Sequence, residues 1–281
     1  MKKIMVIVLA LIVALGAISM TACAKEDVKI GVQAGTTGQY FVDGDADWGF
    51  DGIAGYASKG YSNGGMAVQD LKNGGVAYVC IDRDPALRLQ DKIAGIKVID
   101  IPLTVEEYAF GVDKAQDDLL NSVNSILAST EGQAKLASIF EAYATGTGIQ
   151  PFESAVKDLN NTAGQLVVAT NANFAPFEYK EGNMFAGIDM EIAKYIADTL
   201  NLELVIEDME FDSVVTSVGT HGIDIAMAGL TVNETRKASV NFTTSYYNAA
   251  QVLITKESDT SFDNCETDAD VLAVLAAKLN K

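Results

Sequence analysis

Residues 222–243, GIDIAMAGLTVNETRKASVNFT, read in succession as a strand, a tight turn and a short polar helix. The run 223–228 reads as a strand that alternates with the helices around it. Gly229 leads through Thr231 into the polar segment, and Arg236 sits five residues past the threonine. A helix start offers free backbone N–H groups and a positive dipole end. An arginine fork can take both oxygens of a carboxylate at once. The stretch is therefore a grip for a small carboxylic acid. On the local pattern alone, Thr231 as a helix cap and Arg236 as the partner of Glu234 are equally consistent.

Outward from this stretch, helical and strand patterns alternate. Strand 166–170, helix 188–200, strand 203–207 and helix 211–218 precede it; strand 251–256 and an amphipathic helix 268–280 follow. In the N-terminal half, strand 29–34 leads through the loop Gly35-Thr36-Thr37-Gly38 into a helix starting at Gln39-Tyr40. The Gly- and Asp-rich stretch 43–58 reads as a solvated loop, since its Asp spacing lacks the EF-hand pattern. Helix 64–73, strand 76–81, helix 85–94, strand 97–101, strand 107–112 and helices 116–127 and 133–143 complete this half. Residues 144–164, rich in Gly, Thr and Asn, are the best linker. Such alternation predicts an α/β fold with parallel sheets. In open α/β sheets ligands sit beyond the carboxyl ends of strands, which makes Asp82, at the end of 76–81, a candidate contact. A helix cap is its alternative role.

The 281 residues suffice for one large or two small domains, and 49% are apolar. Lys2 and Lys3, the apolar run 4–18 and the mostly small residues up to Cys23 form an export signal too short to span a bilayer. Removing 1–22 takes away two lysines and no acid, leaving 18 Lys and Arg against 38 Asp and Glu. Phosphate backbones repel such a surface, so no nucleic-acid partner is expected. Besides Cys23 the cysteines are Cys80 and Cys265; there is no CxxC, and His221 is the one histidine. A metal centre or Cys–His pair has poor raw material, and no metal or cofactor is expected. A Cys80–Cys265 disulfide stays open.

Four blocks carry a resemblance. LVVATNANFAPFEY, GIDMEIAKYIADTLNLELVIEDMEFDSVV, GIDIAMAGLTVNETRKASVNFT and YYNAAQVLITK, in that order within 166–256, resemble the first half of family 3 solute-binding proteins, the extracytoplasmic amino-acid receptors of bacterial ABC importers. IGVQAGTTGQY, GGMAVQDLKNG with VCIDRDPA, and YAFGVDKAQDDLLNSVNSIL resemble the second half. The halves stand in inverted order, so the resemblance implies a circular permutation of the two-lobed periplasmic-binding-protein-like fold (type II), with two mostly parallel sheets. Lobe B would comprise 27–106 plus 257–281 and lobe A 114–250. Strands 107–113 and 251–256 would form the hinge, and 144–164 would join the family's usual termini. Small residues ending at Cys23 resemble a lipobox, which implies a signal peptide over 1–22, a lipidated Cys23 and a tether at 23–26. The protein would then be anchored to the outer face of the cytoplasmic membrane.

The same resemblance implies a site. Arg236 would hold an α-carboxylate, helped by Thr231, Gly229 and, from the opposite lobe, Thr37. Asp82 would take the α-ammonium, Phe174 and Phe211 would sandwich the side chain, and Asn171 would point at its polar end. Asn171 often corresponds to an aspartate in members taking basic side chains, so its neutral amide leans toward polar uncharged amino acids. The implied protein is a monomer that captures an amino acid and delivers it to an ABC permease. The competing reading is an enzyme of the same fold, a dehydratase of cyclic acids, for which Glu178 is the one acid in NANFAPFEY. A ligand-sensing receptor module is a third.

Overall fold

In the computed structural model, which describes residues 27–158 and 160–279, the apolar runs pair into two separate five-stranded sheets. The expected signal peptide, the lipidation site Cys23 and the tether lie outside the described residues.

The first sheet draws on both ends of the chain. Its N-terminal part runs β1 (Val28–Gln33), α1 (Thr37–Asp43), β2 (Tyr56–Tyr61), α2 (Gly64–Asn73), β3 (Tyr78–Asp82), α3 (Arg83–Lys92) and β4 (Ile96–Ile99). The chain then leaves through β5 (Glu106–Tyr108) into β6 (Gly111–Asp113), α4 (Asp117–Ala128) and α5 (Thr130–Thr145). The second half continues with β7 (Gln165–Thr170), β8 (Asn173–Phe174), β9 (Glu178–Glu181), β10 (Met184–Ala186), α6 (Ile188–Leu200), β11 (Glu203–Asp208) and α7 (Phe211–Ser217). After β12 (Ile225–Ala226), α8 (Glu234–Lys237) and β13 (Val240–Phe242), the chain returns through β14 (Tyr247–Ala249) to β15 (Gln251–Lys256) and α9 (Asp268–Lys278).

The sheets have strand orders β2-β1-β3-β15-β4 and β11-β7-β12-β6-β13. β1 is parallel to β2 and β3, while β15 runs antiparallel to both β3 (Gln251 opposite Asp82) and β4. β7 is parallel to β11 and β12, while β6 is antiparallel to β12 and β13. Each sheet is thus parallel apart from one reversed strand. This is the expected two-lobed α/β fold.

The reversed strands mark where the chain changes lobes, and here the expected hinge is corrected. Residues 251–256 do not cross: β15 is buried along five of its six residues and fills the interior of the first sheet. A strand with both faces apolar must be covered on both sides, which a crossing segment cannot be. Likewise Gly111–Asp113 belongs to the second sheet. The crossing pair is β5 with β14, two short antiparallel strands with Tyr247 opposite Tyr108.

Other boundaries also shifted. The first helix begins at Thr37 rather than at Gln39. Residues 56–58, expected in a loop, start the edge strand β2, whose YASKGY sequence is half exposed and lacks an apolar alternation. The stretch 144–164 is tied down: Phe152 exchanges backbone hydrogen bonds with Phe185 (2.9 and 2.8 Å), Ala155 N–H donates to the Leu204 carbonyl (2.9 Å), and Ile206 N–H donates to Ser154 Oγ (2.8 Å). Cys80 and Cys265 are free thiols, Cys80 buried.

Helix faces decide what packs where. On α6, Ile188, Ile192 and Ile196 recur every four residues and are buried with Leu166 and Val168 of β7. On α9, Val271 and Leu275 bury against Ile30, Tyr78 and Leu253 of the first sheet, behind a capping box between Thr267 and Asp270.

Candidate functional site

The carboxyl ends of β1, β3 and β7 and the turn after β12 converge between the sheets. At their centre lies Arg236, on the four-residue helix α8 and buried to 7% exposure. Its backbone N–H is held by the Asn233 side chain (2.8 Å), so Asn233, not Thr231, caps the helix. Glu234 pairs with Lys237 (2.7 Å), so Arg236 is not its partner. Both local alternatives for this stretch are therefore excluded.

The Arg236 guanidinium donates to two backbone carbonyls, Nη1 to Thr231 (2.9 Å) and Nη2 to Gly35 of the opposite lobe (3.2 Å). Two aromatic faces flank it, Trp48 at 5.0 Å and Phe211 at 5.3 Å to the ring centroids. Among the described residues no carboxylate lies within 4 Å of it. Burial pushes its pKa down to about 10, against the fields of Glu106, Tyr40, Asp82 and Tyr108, so it stays charged near neutrality. A buried guanidinium is costly unless an anion meets it.

Acidic groups face it. Thr37 Oγ1 donates to Thr231 Oγ1 across the lobes (3.1 Å), and Thr231 Oγ1 donates to Glu106 Oε2 (2.6 Å). Glu106 Oε1 accepts from Thr104 Oγ1 (2.6 Å) and Gln251 Nε2 (3.1 Å). Asp82 stands at the end of β3 but makes no capping bond to α3; its carboxylate accepts from the Tyr108 hydroxyl. Burial, then the neighbouring Glu106, push Asp82 up to about 7, opposed by hydrogen bonds from Tyr108 and Gln251. No cation within 4 Å meets Asp82 among the described residues.

The remaining expected residues divide. Asn171 lies at the site, 2% exposed, with Oδ1 accepting from Gln33 Nε2 (2.8 Å) and Nδ2 donating to the Met209 carbonyl (2.7 Å). Phe174 packs on Phe177 (6.0 Å between centroids) and against Gly229, whereas Phe211 faces the guanidinium. Gly229 has φ +54° and spends its N–H on Asp189 (2.8 Å). A Cβ there would come to 3.0 Å from Phe174 and 3.2 Å from Tyr108, so its role is close approach. Glu178 is fully buried, neither carboxyl oxygen has a hydrogen-bond partner among the described residues, and burial raises it well above the usual carboxylate range. Among the described residues no three His, Cys, Asp or Glu groups are placed to hold a metal.

Sequence reasoning missed Glu106, Tyr108, Gln251, Gln33 and Trp48. Glu106 and Gln251 join the site from strand ends far apart in the chain, which no local pattern records. Trp48 lies in the Gly- and Asp-rich stretch expected as a solvated loop, where no local pattern tied it to the site.

Residues 166–280 match the family described as bacterial extracellular solute-binding proteins, family 3. The arginine-binding extracellular protein ArtP of Bacillus subtilis is 36% identical over 93 residues, covering 33% of this chain and 36% of that protein. Cyclohexadienyl dehydratase of Pseudomonas aeruginosa is 30% identical over 94 residues, covering 33% and 35%. Domain 1 of TmArgBP, solved in its arginine-bound form, is 30% identical, covering 43% of this chain and 99% of that one with a TM-score of 0.29. The chain spans about a third of the length of these curated relatives. The similarity to the bacterial extracellular solute-binding proteins, family 3, is thus confined to residues 166–280, the part of the chain from β7 to α9.

Proposed function

We propose that the protein captures a small α-amino acid between its two lobes and delivers it to the permease of an ABC importer. The observation that carries this reading is a pair of buried charges that no opposite charge meets within 4 Å among the described residues: Arg236 without a carboxylate and Asp82 without a cation. A zwitterion supplies both, its carboxylate to the Arg236 fork and its ammonium to Asp82. Thr231 and Thr37 add hydroxyls beside the carboxylate, and Phe174 and Phe211 line the side-chain path. The relatives named above include an arginine-binding protein, which puts arginine first among the ligands to test.

In this reading the lobes meet through β5 and β14 and close by bending there. Lobe B holds the first sheet and α9, and lobe A the second sheet. The halves are circularly permuted with respect to the family. Two contacts support this: Val28 N–H is bonded to the Gly55 carbonyl (3.1 Å), and a Cβ on Gly55 would meet Leu279 at 2.4 Å, so the end of α9 lies beside the start of β1. The protein works as a monomer without a cofactor, outside the cytoplasm, held to the membrane by lipid on Cys23. No helix among the described residues is long and apolar enough to cross a membrane.

A second reading, proton donation to a cyclic acid, rests on Glu178, a buried carboxyl kept protonated. A thermal-melt screen against the twenty amino acids separates the two. A ligand binding only the folded state at a hundredfold excess over Kd adds about 2.7 kcal/mol. We expect a clear upward shift from one or a few amino acids, absent in Arg236→Ala and Asp82→Ala. No shift from any of them, with turnover of a cyclic acid that Glu178→Gln abolishes, would favour the enzyme.

A further inference from the structure

The Gly- and Asp-rich stretch that follows α1 is built as a clip. Asp45 and Phe50 exchange both backbone hydrogen bonds (2.9 and 3.0 Å), and Asp45 Oδ1 accepts from the N–H groups of Asp47 (2.9 Å) and Trp48 (3.3 Å). The two arms of the clip cross at Gly44 and Gly52, which have φ +83° and +78°. A Cβ on Gly52 would lie 2.9 Å from the backbone of Asp43, so glycine alone lets the arms pass this closely. Behind the crossing, Ile53 N–H donates to the Val42 carbonyl (2.9 Å), and the Asp43 carboxylate accepts from Ser58 N–H (2.7 Å) and Oγ (2.6 Å). Two ring pairs fasten the clip to α1: Trp48 stacks on Tyr40 (4.2 Å, 15° between planes), and Phe50 meets Phe41 edge to face (5.5 Å, 88°).

The clip holds one ring out toward the other lobe. Trp48 lies 5.0 Å from the Arg236 guanidinium, and Phe211 lies 5.3 Å from it, so Arg236 is flanked by one ring from each lobe. Its Nη2 also reaches the Gly35 carbonyl (3.2 Å), two residues before α1 begins. Trp48 is already fixed by its stack on Tyr40 and by the clip, so its contact with Arg236 needs no ordering of a loose segment. Movement of the lobes alone makes or breaks it. A contact present only in the closed state slows opening and leaves the encounter of ligand with the open cleft unchanged.

We infer that Trp48 is a positioning residue, carried on a rigid clip, that latches the closed lobes through Arg236 and so sets how long a bound amino acid is retained. This rests on the amino-acid-binding reading above. Trp48 acts through Arg236, the group proposed to hold the carboxylate, and its π face is what the guanidinium meets. The clip matters as much as the ring: a tryptophan on a loose loop would lose on ordering what it gains on contact.

Association and release rates of a radiolabelled amino acid, the tightest binder of the standard twenty, test this on the purified protein, with release followed under a chase of unlabelled ligand. Trp48→Ala and Trp48→Leu should each speed release about fivefold and leave association within about twofold of the parent. Trp48→Phe, which returns a ring to Arg236, should bring release back to within about twofold. Gly52→Ala leaves the indole in place but forces the arms of the clip apart, and should speed release as Trp48→Ala does. If Trp48→Ala fails to fold, the contrast between Trp48→Leu and Trp48→Phe decides. Equal release from Trp48→Leu, Trp48→Phe and the parent would overturn the inference while leaving amino-acid binding intact. So would an equal rise in association and release, which would make the clip a gate on the cleft instead of a latch. Failure of all twenty amino acids to bind the unmodified protein would overturn the inference together with the reading beneath it.

Discussion

Asp82 and Asp189 are buried aspartates, each pushed up to about 7 chiefly by burial, yet their surroundings differ. Asp189, near the start of α6, is saturated from within its own lobe: Gly229 N–H donates to Oδ2 (2.8 Å) and the Tyr246 hydroxyl to Oδ1 (2.6 Å). Its job is to hold the turn that carries Gly229 and, beyond it, Thr231. Asp82 has the Tyr108 hydroxyl, a second acid in Glu106, and Arg236 nearby without a direct bond. Equal burial therefore says little about purpose. What separates the structural acid from the proposed binding acid is whether its donors are already in place.

The strongest way to break this comparison is Asp189→Ala. It strands the Gly229 N–H and the Tyr246 hydroxyl in the interior, and urea unfolding should register a loss of about 3–5 kcal/mol. Asp82→Ala should lose less than about 2 kcal/mol; equal losses would erase the distinction. Next in size, Asp82→Asn should keep the ligand-free melting midpoint near that of the parent while weakening amino-acid affinity roughly a hundredfold, about 2.8 kcal/mol by calorimetry.

The pH dependence sharpens the contrast because its two arms have opposite signs. Asp82 and Asp189 are raised from 3.8 to about 7 in the folded protein, so their protonated burial favours folding at low pH. The ligand-free protein should lose that contribution as pH rises from about 4 through about 7. The proposed ammonium contact needs ionised Asp82, so affinity should rise about tenfold from pH 6 to pH 8, and this slope should vanish in Asp82→Asn. The smallest effect is expected from Trp48→Ala, which removes one aromatic face from Arg236 and should weaken affinity about fivefold, roughly 1 kcal/mol.

What could be read in the sequence follows the same division between local and distant causes. Helix 188–200 was legible to the residue because its isoleucine repeat and the flanking Gly187 and Asn201 are local signals. Arg236 and Asp82 were singled out from residue type and from their place after strands, and the structure brings both to the space between the sheets. Strand β2 was not, because an edge strand has no second apolar face to advertise it. The crossing was misplaced for a related reason: 107–112 reads as one short run, and only pairing shows that β5 goes with β14 and β6 with the second sheet. Glu106 and Gln251 meet 145 positions apart, at a distance no periodicity reaches.

Trp48 is the sole tryptophan of the chain, and its ring bridges the gap between the lobes, stacked on Tyr40 of its own side (4.2 Å) and laid over Arg236 of the other. The stack on Tyr40 stays with the indole, whereas the guanidinium over its ring is there only while the lobes touch. Intrinsic emission from this one chromophore, excited without any label, would therefore follow opening and closing in real time. If the proposed closure holds, this emission reads occupancy directly.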